Sequence, residues 1–312
     1  MVDVSLLGCG GGMPIPERNL SSLFINYKGR KILIDCGEGT QVVIKKMRLG
    51  FKDIDIILIT HCHGDHIVGL PGLLATIGNS GRKEPLTIIG PEGITNVING
   101  LRVIVPYLPY DLNIIENTRE LYFNLGKDKF ELCEIERSNL ILKTMELEHS
   151  APCIGYSLYF KRQRKFDLER AESMNVPKIL WNKLQKEKEV IYNDIKYTYD
   201  MVLGEERKGI KLSFITDTRP VDEITDFIKD SDLFICEGNY GNDDDIEKAM
   251  KNKHMTFKEA ATLAKRGEAK ELLLTHFSPA MANPNEYLSN ASEVFKDVMI
   301  GEDELTKILK FI

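Results

Sequence analysis

The chain has 312 residues, 43% of them hydrophobic, and a formal net charge of -6. That apolar content can fill the core of one large domain or two small ones, and the acidic balance argues against a protein that coats nucleic acid indiscriminately, although it leaves room for a local basic patch. No apolar run approaches the roughly 18 residues that a membrane span needs, so no membrane partner is expected.

The first residues, MVDVSLLGCGGG, lack the basic segment of a secretion signal. Cys9, Cys36, Cys62, Cys133, Cys153 and Cys236 stand singly, without a CxxC pair, as reduced thiols do. A cytoplasmic location is the expectation. VDVSLLG, SSLFINYKGRKILIDCG, DIDIILITH and LTIIG read as strands, with a hairpin at Lys28-Gly29. GEGTQVVIKKMRLG and GPEGITNVINGLRVIV carry helical periodicity between them. LILKTMELEHS and CIGYSLYFK follow as strands, then a polar stretch from Lys161 to Lys211, then strand LSFITD, helix VDEITDFIKD and strand LFICEG. Helix TFKEAATLAKRG has a capping box, Thr256 with Glu259, and ends at Gly267, directly before strand ELLLTH.

Four strands thus end in a group that can bind metal or move a proton: IILITH, SFITD, LFICE and LLLTH. Strand ends of an α/β sheet converge on one rim. The chain has only six histidines, and ITHCHGDH holds three of them: His61, His63 and His66. Alternate residues of an extended segment point the same way, so His61 and His63 can grip one ion, while Asp65 and His66, beyond the Gly64 bend, can aim at a second. Cys62 faces away, as packing. Two ions about 3.5 to 4 Å apart suit attack on a phosphate ester, and nitrogen-rich ligation with a few carboxylates favours zinc, with manganese or iron as the other metals this set accepts. A histidine-rich surface loop would not close an apolar strand. His149 or His276 alone would read as a hydrogen-bonded core histidine; with Asp217 they complete two donor shells.

This series, HxHxDH, a lone His, an Asp after a strand and a late His, resembles the ligand series of the metallo-β-lactamase fold. Within it the chain is similar to ribonuclease Z, the endonuclease that trims the 3′ end of precursor tRNA. The matching pieces are LGCGGGMPIPERNLSSL, ILIDCGEGTQ, ITHCHGDHIVGLPGLL, EHSAPCIGY, FITDTRP, CEGNY, HMTFKEAA and LLLTHFS. The resemblance implies one αββα sandwich domain over 1–312, of mixed α/β class, with an inserted arm at 161–211. It implies two zinc ions per chain, His61, His63 and His149 on the first, Asp65, His66 and His276 on the second, and Asp217 bridging. Asp65 would also orient the hydroxide. The family's His donates a proton to the departing ribose 3′-oxygen and its Glu orients that imidazole, roles that fall on His254 and Glu237; the bland alternative is that His254 caps the Thr256 helix. The implied partners are precursor tRNA, or another RNA, and a second copy in a homodimer.

The GCGGG segment fits neither GxGxxG, since Met13 stands where the third glycine belongs, nor a phosphate loop. It reads as a turn that lets backbone approach the metal rim. NDDD before Ile246 reads as a solvated helix start. The insertion opens with Lys161, Arg162, Arg164 and Lys165, a cluster that can hold phosphates or simply face water. In the family this arm clamps the tRNA elbow. The chain departs from the pattern twice: NVPKILW lacks the glycine of the arm's tip, and FSPAMANP lacks the arginine that commonly follows the motif's serine. A phosphodiesterase for small or cyclic nucleotides, and a silent RNA-binding relative, are the competing functions.

Overall fold

A computed structural model describes residues 1–126 and 128–311. The first sheet contains β1 (Val2–Gly8), β2 (Ser22–Tyr27), β3 (Arg30–Ile34), β4 (Ile54–Leu58), β5 (Leu86–Gly90), β6 (Leu112–Glu116) and β17 (Thr306–Leu309), in the order β17-β1-β2-β3-β4-β5-β6. The second contains β7 (Glu120–Leu125), β8 (Phe130–Leu132), β9 (Leu140–Leu147), β10 (Cys153–Arg162), β13 (Arg207–Ile215), β14 (Leu233–Glu237), β15 (Leu272–Thr275) and β16 (Val298–Ile300), in the order β16-β15-β14-β13-β10-β9-β7-β8.

Both sheets are mixed. From β3 to β6 and from β13 to β16 neighbours run parallel where the register is defined, and β4, buried along its whole length, shows why IDIIL is apolar without clean alternation. The hairpin turns at Lys28 and Gly29, both left-handed (φ 52° and 87°), with Tyr27 opposite Arg30. Helices Thr40–Lys46, Leu70–Asn79 and Ile94–Leu101 bury Val43, Leu73, Leu74 and Ile98 with Leu33, Ile57 and Ile88 of the first sheet. Helix Phe257–Arg266 has the expected capping box and ends at Gly267. That glycine has φ -80°; it is needed because a Cβ would sit 2.5 Å from Ile228 Cγ1, and Glu268 instead carries the left-handed turn. Cys62 packs against the core, and all six cysteines are free.

The inner faces of the two sheets meet. Tyr156 of β10 donates its hydroxyl to the carbonyls of Ile59 (2.7 Å) and Ile89 (3.0 Å), and Tyr27 packs on Phe160 with ring centroids 4.9 Å apart. The buried Asp55 accepts from Arg30 Nε at 2.7 Å, from Arg82 Nη2 at 3.1 Å and from the Phe130 amide of β8 at 3.1 Å. Arg82 is fully buried and also donates to the carbonyls of Lys52, Glu84 and Pro85.

The chain forms two compact units, residues 1–160 with 210–310, and residues 161–209 with Phe311. In the smaller, helix Leu168–Ser173 is capped by Asp167, and β11 (Glu189–Tyr192) pairs with β12 (Ile195–Thr198) across left-handed Asn193 and Asp194. Ala171, Leu180, Leu184, Val190 and Val202 form its own core. Among the described residues no helix is long and apolar enough to cross a membrane.

Arg82→Ala leaves Asp55 buried without one partner and opens a void, so it should lower stability by about 3–5 kcal/mol. Denaturant unfolding measures this, and a change under 1 kcal/mol would contradict it.

Candidate metal centre

The donors come from strand ends of both sheets. His61 and His63 lie on the segment that continues β4, and one helical turn, Gly64–Ile67, swings Asp65 and His66 to the other side. His149 sits between β9 and β10, Asp217 just past β13, and His276 directly after β15. Asp217 and His276 have left-handed backbones (φ 49° and 57°), as does Asp35 after β3 (φ 59°). Such conformations cost about 1 kcal/mol or more for a residue with a Cβ, and here they turn each side chain off its strand toward the rim.

Three groups of donors result among the described residues, the third of Asp217, His254 and His276 overlapping the first two. In the first, His61 Nε2 and His149 Nε2 lie 3.1 and 3.2 Å from His63 Nδ1, and both lie 3.6–3.7 Å from Asp217 Oδ2. In the second, His66 Nε2 and His276 Nε2 are 3.1 Å apart, each 3.3–3.4 Å from Asp65 Oδ2 and 3.2–3.4 Å from Asp217 Oδ1. A metal about 2.0–2.1 Å from each nitrogen of a tetrahedron has donor-to-donor edges of roughly 3.4 Å. These spacings fit a divalent ion in each of the first two groups, with one carboxylate oxygen of Asp217 in each shell.

The outer ring nitrogens are fixed from behind. His66 Nδ1 pairs with Asp35 Oδ2 at 2.8 Å, His61 Nδ1 with Thr60 Oγ1 at 3.1 Å, and His149 Nδ1 with the Lys253 carbonyl at 3.3 Å. Asp35 is itself held by the Thr60 amide and hydroxyl, each at 2.8 Å. Burial, then neighbouring imidazoles, holds His61 well below the ordinary histidine range, and burial lowers His149. Burial opposes charge on His66 too, but Asp217 and Asp35 outweigh it and raise its pKa. Asp65 and Asp217 stay well below the carboxylate range despite burial, because hydrogen bonds from His276 and His66 and the field of the imidazoles favour the anions. Anionic oxygens among imidazoles are the donor set a hard-to-borderline dication takes.

The glycine-rich segment closes this rim. Gly12 donates its amide to Asp65 Oδ2 at 2.6 Å, and a Cβ on Gly11 would lie 2.4 Å from the His276 ring. Asp303, just before β17, accepts the Cys9 amide at 3.0 Å and the Asn19 amide at 2.6 Å, pinning both legs of that segment.

Beside the first two groups, the buried Glu237 accepts from the Thr218 amide (2.6 Å), the Met255 amide (3.1 Å) and His254 Nδ1 (3.0 Å). Thr256 caps its helix with its own hydroxyl, so the His254 ring is not the cap. Burial pulls the His254 pKa down, but the Glu237 carboxylate, with Asp217 and Asp65, pushes it up to about 9. Arg219 holds this loop by donating to the His254 carbonyl and pairing with Glu259. A cleft of about 500 Å³ opens here, lined by His63, Asp65, His149, Asp217, His254 and His276 among others.

The basic cluster lies in the smaller unit. Arg164 is engaged within it, with Asp200 at 2.5 Å, the carbonyls of Gly204 and Leu203, and the Tyr199 ring; Lys165 is exposed, and Lys161 and Arg162 are half-buried. Asp243–Asp245 forms a short helical turn before Ile246. Sequence reasoning passed over Asp35, Thr60, Arg219 and Asp303. Asp35 carried the same signature as the others, an acid ending an apolar strand in ILID.

Ribonuclease Z of Clostridium perfringens is 59% identical over 314 residues, covering 100% of this chain and 99% of that protein. The chain belongs to the ribonuclease Z family. The crystal structure of human tRNase Z, short form, is 27% identical to this ribonuclease Z family member, covers 99% of both chains and superposes with a TM-score of 0.68. The metallo-β-lactamase fold protein YhfI of Bacillus subtilis shares the fold alone, at 18% identity, a TM-score of 0.69 and coverage of 99% and 100%. Residues 2–205 also match the family model described as Anti-Pycsar protein Apyc1, so this part of the chain belongs to that family too. The matched span contains His61, His63, Asp65, His66 and His149 and ends before Asp217, Glu237, His254 and His276.

Removing the carboxylate behind His66 frees that ring to turn. Asp35→Ala should weaken metal binding 10- to 100-fold, read by competition with a chromogenic chelator; unchanged affinity would show that Asp35 only packs.

Proposed function

We propose that this ribonuclease Z family member is a tRNA 3′-processing endoribonuclease that uses two zinc ions per chain. The observation that carries the reading is full-length identity of 59% to a ribonuclease Z, combined with two donor groups that share Asp217 and stand beside the Glu237–His254 pair. His61, His63 and His149 would hold the first ion, Asp65, His66 and His276 the second. The ions supply an activated water and positive charge that offsets the charge building on the phosphoryl group.

The chain's own residues do the rest. Asp65 shares the rim with His276 and accepts a hydrogen bond from Gly12, so its carboxylate is fixed where it can orient the attacking water. His254, kept protonated at neutral pH by Glu237 on its Nδ1, donates from its Nε2 to the ribose 3′-oxygen as the P–O3′ bond breaks. An alkoxide is a poor leaving group, which is why an acid is placed there. The products are a tRNA with a 3′-hydroxyl and a trailer with a 5′-phosphate. The unit at 161–209 serves as the arm that holds tRNA, with Lys161, Arg162 and the exposed Lys165 as its phosphate contacts, and the working form is a cytoplasmic homodimer in which one copy's arm serves the other's cleft.

Incubating the zinc-loaded protein with precursor tRNA and sequencing the ends should show a single cut at the 3′ boundary, and His63→Ala should abolish it. Failure of the wild type to cut would defeat the substrate assignment; a fully active His63→Ala would defeat the proposed centre. A general acid acts while protonated, so the rate should fall as pH rises through the His254 pKa. Glu237→Gln removes the carboxylate that raises that pKa, and the alkaline fall should move to lower pH; a pH profile with an unmoved alkaline limb would rule out this pairing.

A further inference from the structure

One wall of the cleft takes no part in holding metal or in proton transfer. It is built by Tyr240, Lys251 and Asn252. Two lysines, Lys251 and Lys253, line the cleft. Lys253 is committed, its Nζ donating to the His149 carbonyl at 3.2 Å and lying 3.9 Å from Glu148 Oε1. Lys251 is exposed, and among the described residues it pairs with no acid. A lysine that lines the cleft while the cleft's two carboxylates, Asp65 and Asp217, are taken up by the histidine cluster is placed to bind a phosphate.

The wall is referenced closely to His254. Lys251 lies in the last turn of the helix Ile246–Asn252, and left-handed Lys253 (φ 57°) turns the chain from it into His254. Tyr240 is tied to the same loop, its amide donating to the Met255 carbonyl at 3.2 Å and its carbonyl accepting from the Phe257 amide at 2.9 Å. Asn252 Nδ2 donates to Tyr240 Oη at 2.7 Å, which fixes the ring and leaves the phenol hydrogen free for a ligand. An acid must touch the oxygen that departs, so side chains carried by the acid's own loop flank the leaving nucleoside rather than the trailer.

We propose that Tyr240, Lys251 and Asn252 form a subsite for the nucleotide whose 3′-oxygen departs. Lys251 holds the phosphate on that nucleotide's 5′ side, and Tyr240 offers its ring face to the base or ribose. This rests on the function proposed above and adds the chain's own recognition of the tRNA end, separate from any grip by the arm.

The test uses the full-length, zinc-loaded protein. Binding of a tRNA that ends at the cleavage site, followed by fluorescence anisotropy, needs no turnover. Lys251→Ala should weaken it roughly tenfold and reduce the slope of log Kd against log salt by about 0.7 to 0.9, as loss of one phosphate contact does; Lys251→Arg should restore most of it, and Tyr240→Ala should cost a similar factor that Tyr240→Phe largely avoids. Lys258→Ala, a lysine paired with Asp243 away from the cleft, should bind as the wild type does. In turnover, Lys251→Ala should lose at least five times more kcat/KM on precursor tRNA than on bis(p-nitrophenyl) phosphate. Wild-type affinity in Lys251→Ala, or equal losses on both substrates with an unchanged salt slope, would overturn the subsite. A wild type that hydrolyses the small diester but neither binds nor cuts tRNA would instead overturn the underlying function.

Discussion

The carboxylate of Asp217 is the constraint on which the site depends. Its two oxygens face opposite ways, Oδ2 toward His61 and His149, Oδ1 toward His66 and His276. A single buried anion thus lies between the two groups of donors, on a left-handed backbone that turns it off its strand. Parallel strands β13 to β15 bring Asp217, Glu237 and His276 out at one edge of their sheet, and the continuation of β4 delivers the histidine cluster from the other. The interior contacts between sheets, Tyr156 with Ile59 and Ile89 and Asp55 with Phe130, keep those two edges in register.

Around this anion the groups sort by role through their surroundings. His66, His61 and His149 present one nitrogen to the rim and have the other engaged by Asp35, Thr60 and the Lys253 carbonyl, and His276 Nδ1 meets Asn239, which fixes ring orientation before any ion arrives. His254, which lines the cleft, has its Nδ1 on the Glu237 carboxylate, the same device that orients the His66 ring through Asp35. His254 Nδ1 stands 4.0 Å from Asp217 Oδ2, and the residue forms a further group with Asp217 and His276 that could hold a metal.

Much of this was legible in the sequence because the chemistry sits where strand signals end. HxHxDH after an apolar strand, and lone acids or histidines closing SFITD, LFICE and LLLTH, gave each donor an address before its partners were known. The hairpin at Lys28-Gly29 and the capping box at Thr256 were local patterns and formed as such. What escaped was set by tertiary contact. Strands β6 to β8 alternate weakly and are only half-buried, so periodicity is faint there. Asp303 lies 294 residues from the amide it accepts, a pairing no local pattern can announce. Arg164 looked like a phosphate contact in a basic run, yet its guanidinium is taken up by Asp200 and two carbonyls, because five donors in a fixed fork suit a crossing of chain segments as well as they suit a phosphate.

The place of β1, covered on its outer side by β17 alone, has a temporal consequence. Val2 pairs with Tyr27 on one side and Leu309 on the other, and Asp303 reaches back to Cys9 just before that last strand. In chain order β17 follows every other described strand, so one edge of β1 stays unpaired until Thr306–Leu309 has been made. His276 and Asp303, both late in the chain, are needed to close the metal rim and to pin its glycine segment, so the rim cannot be complete before they are made.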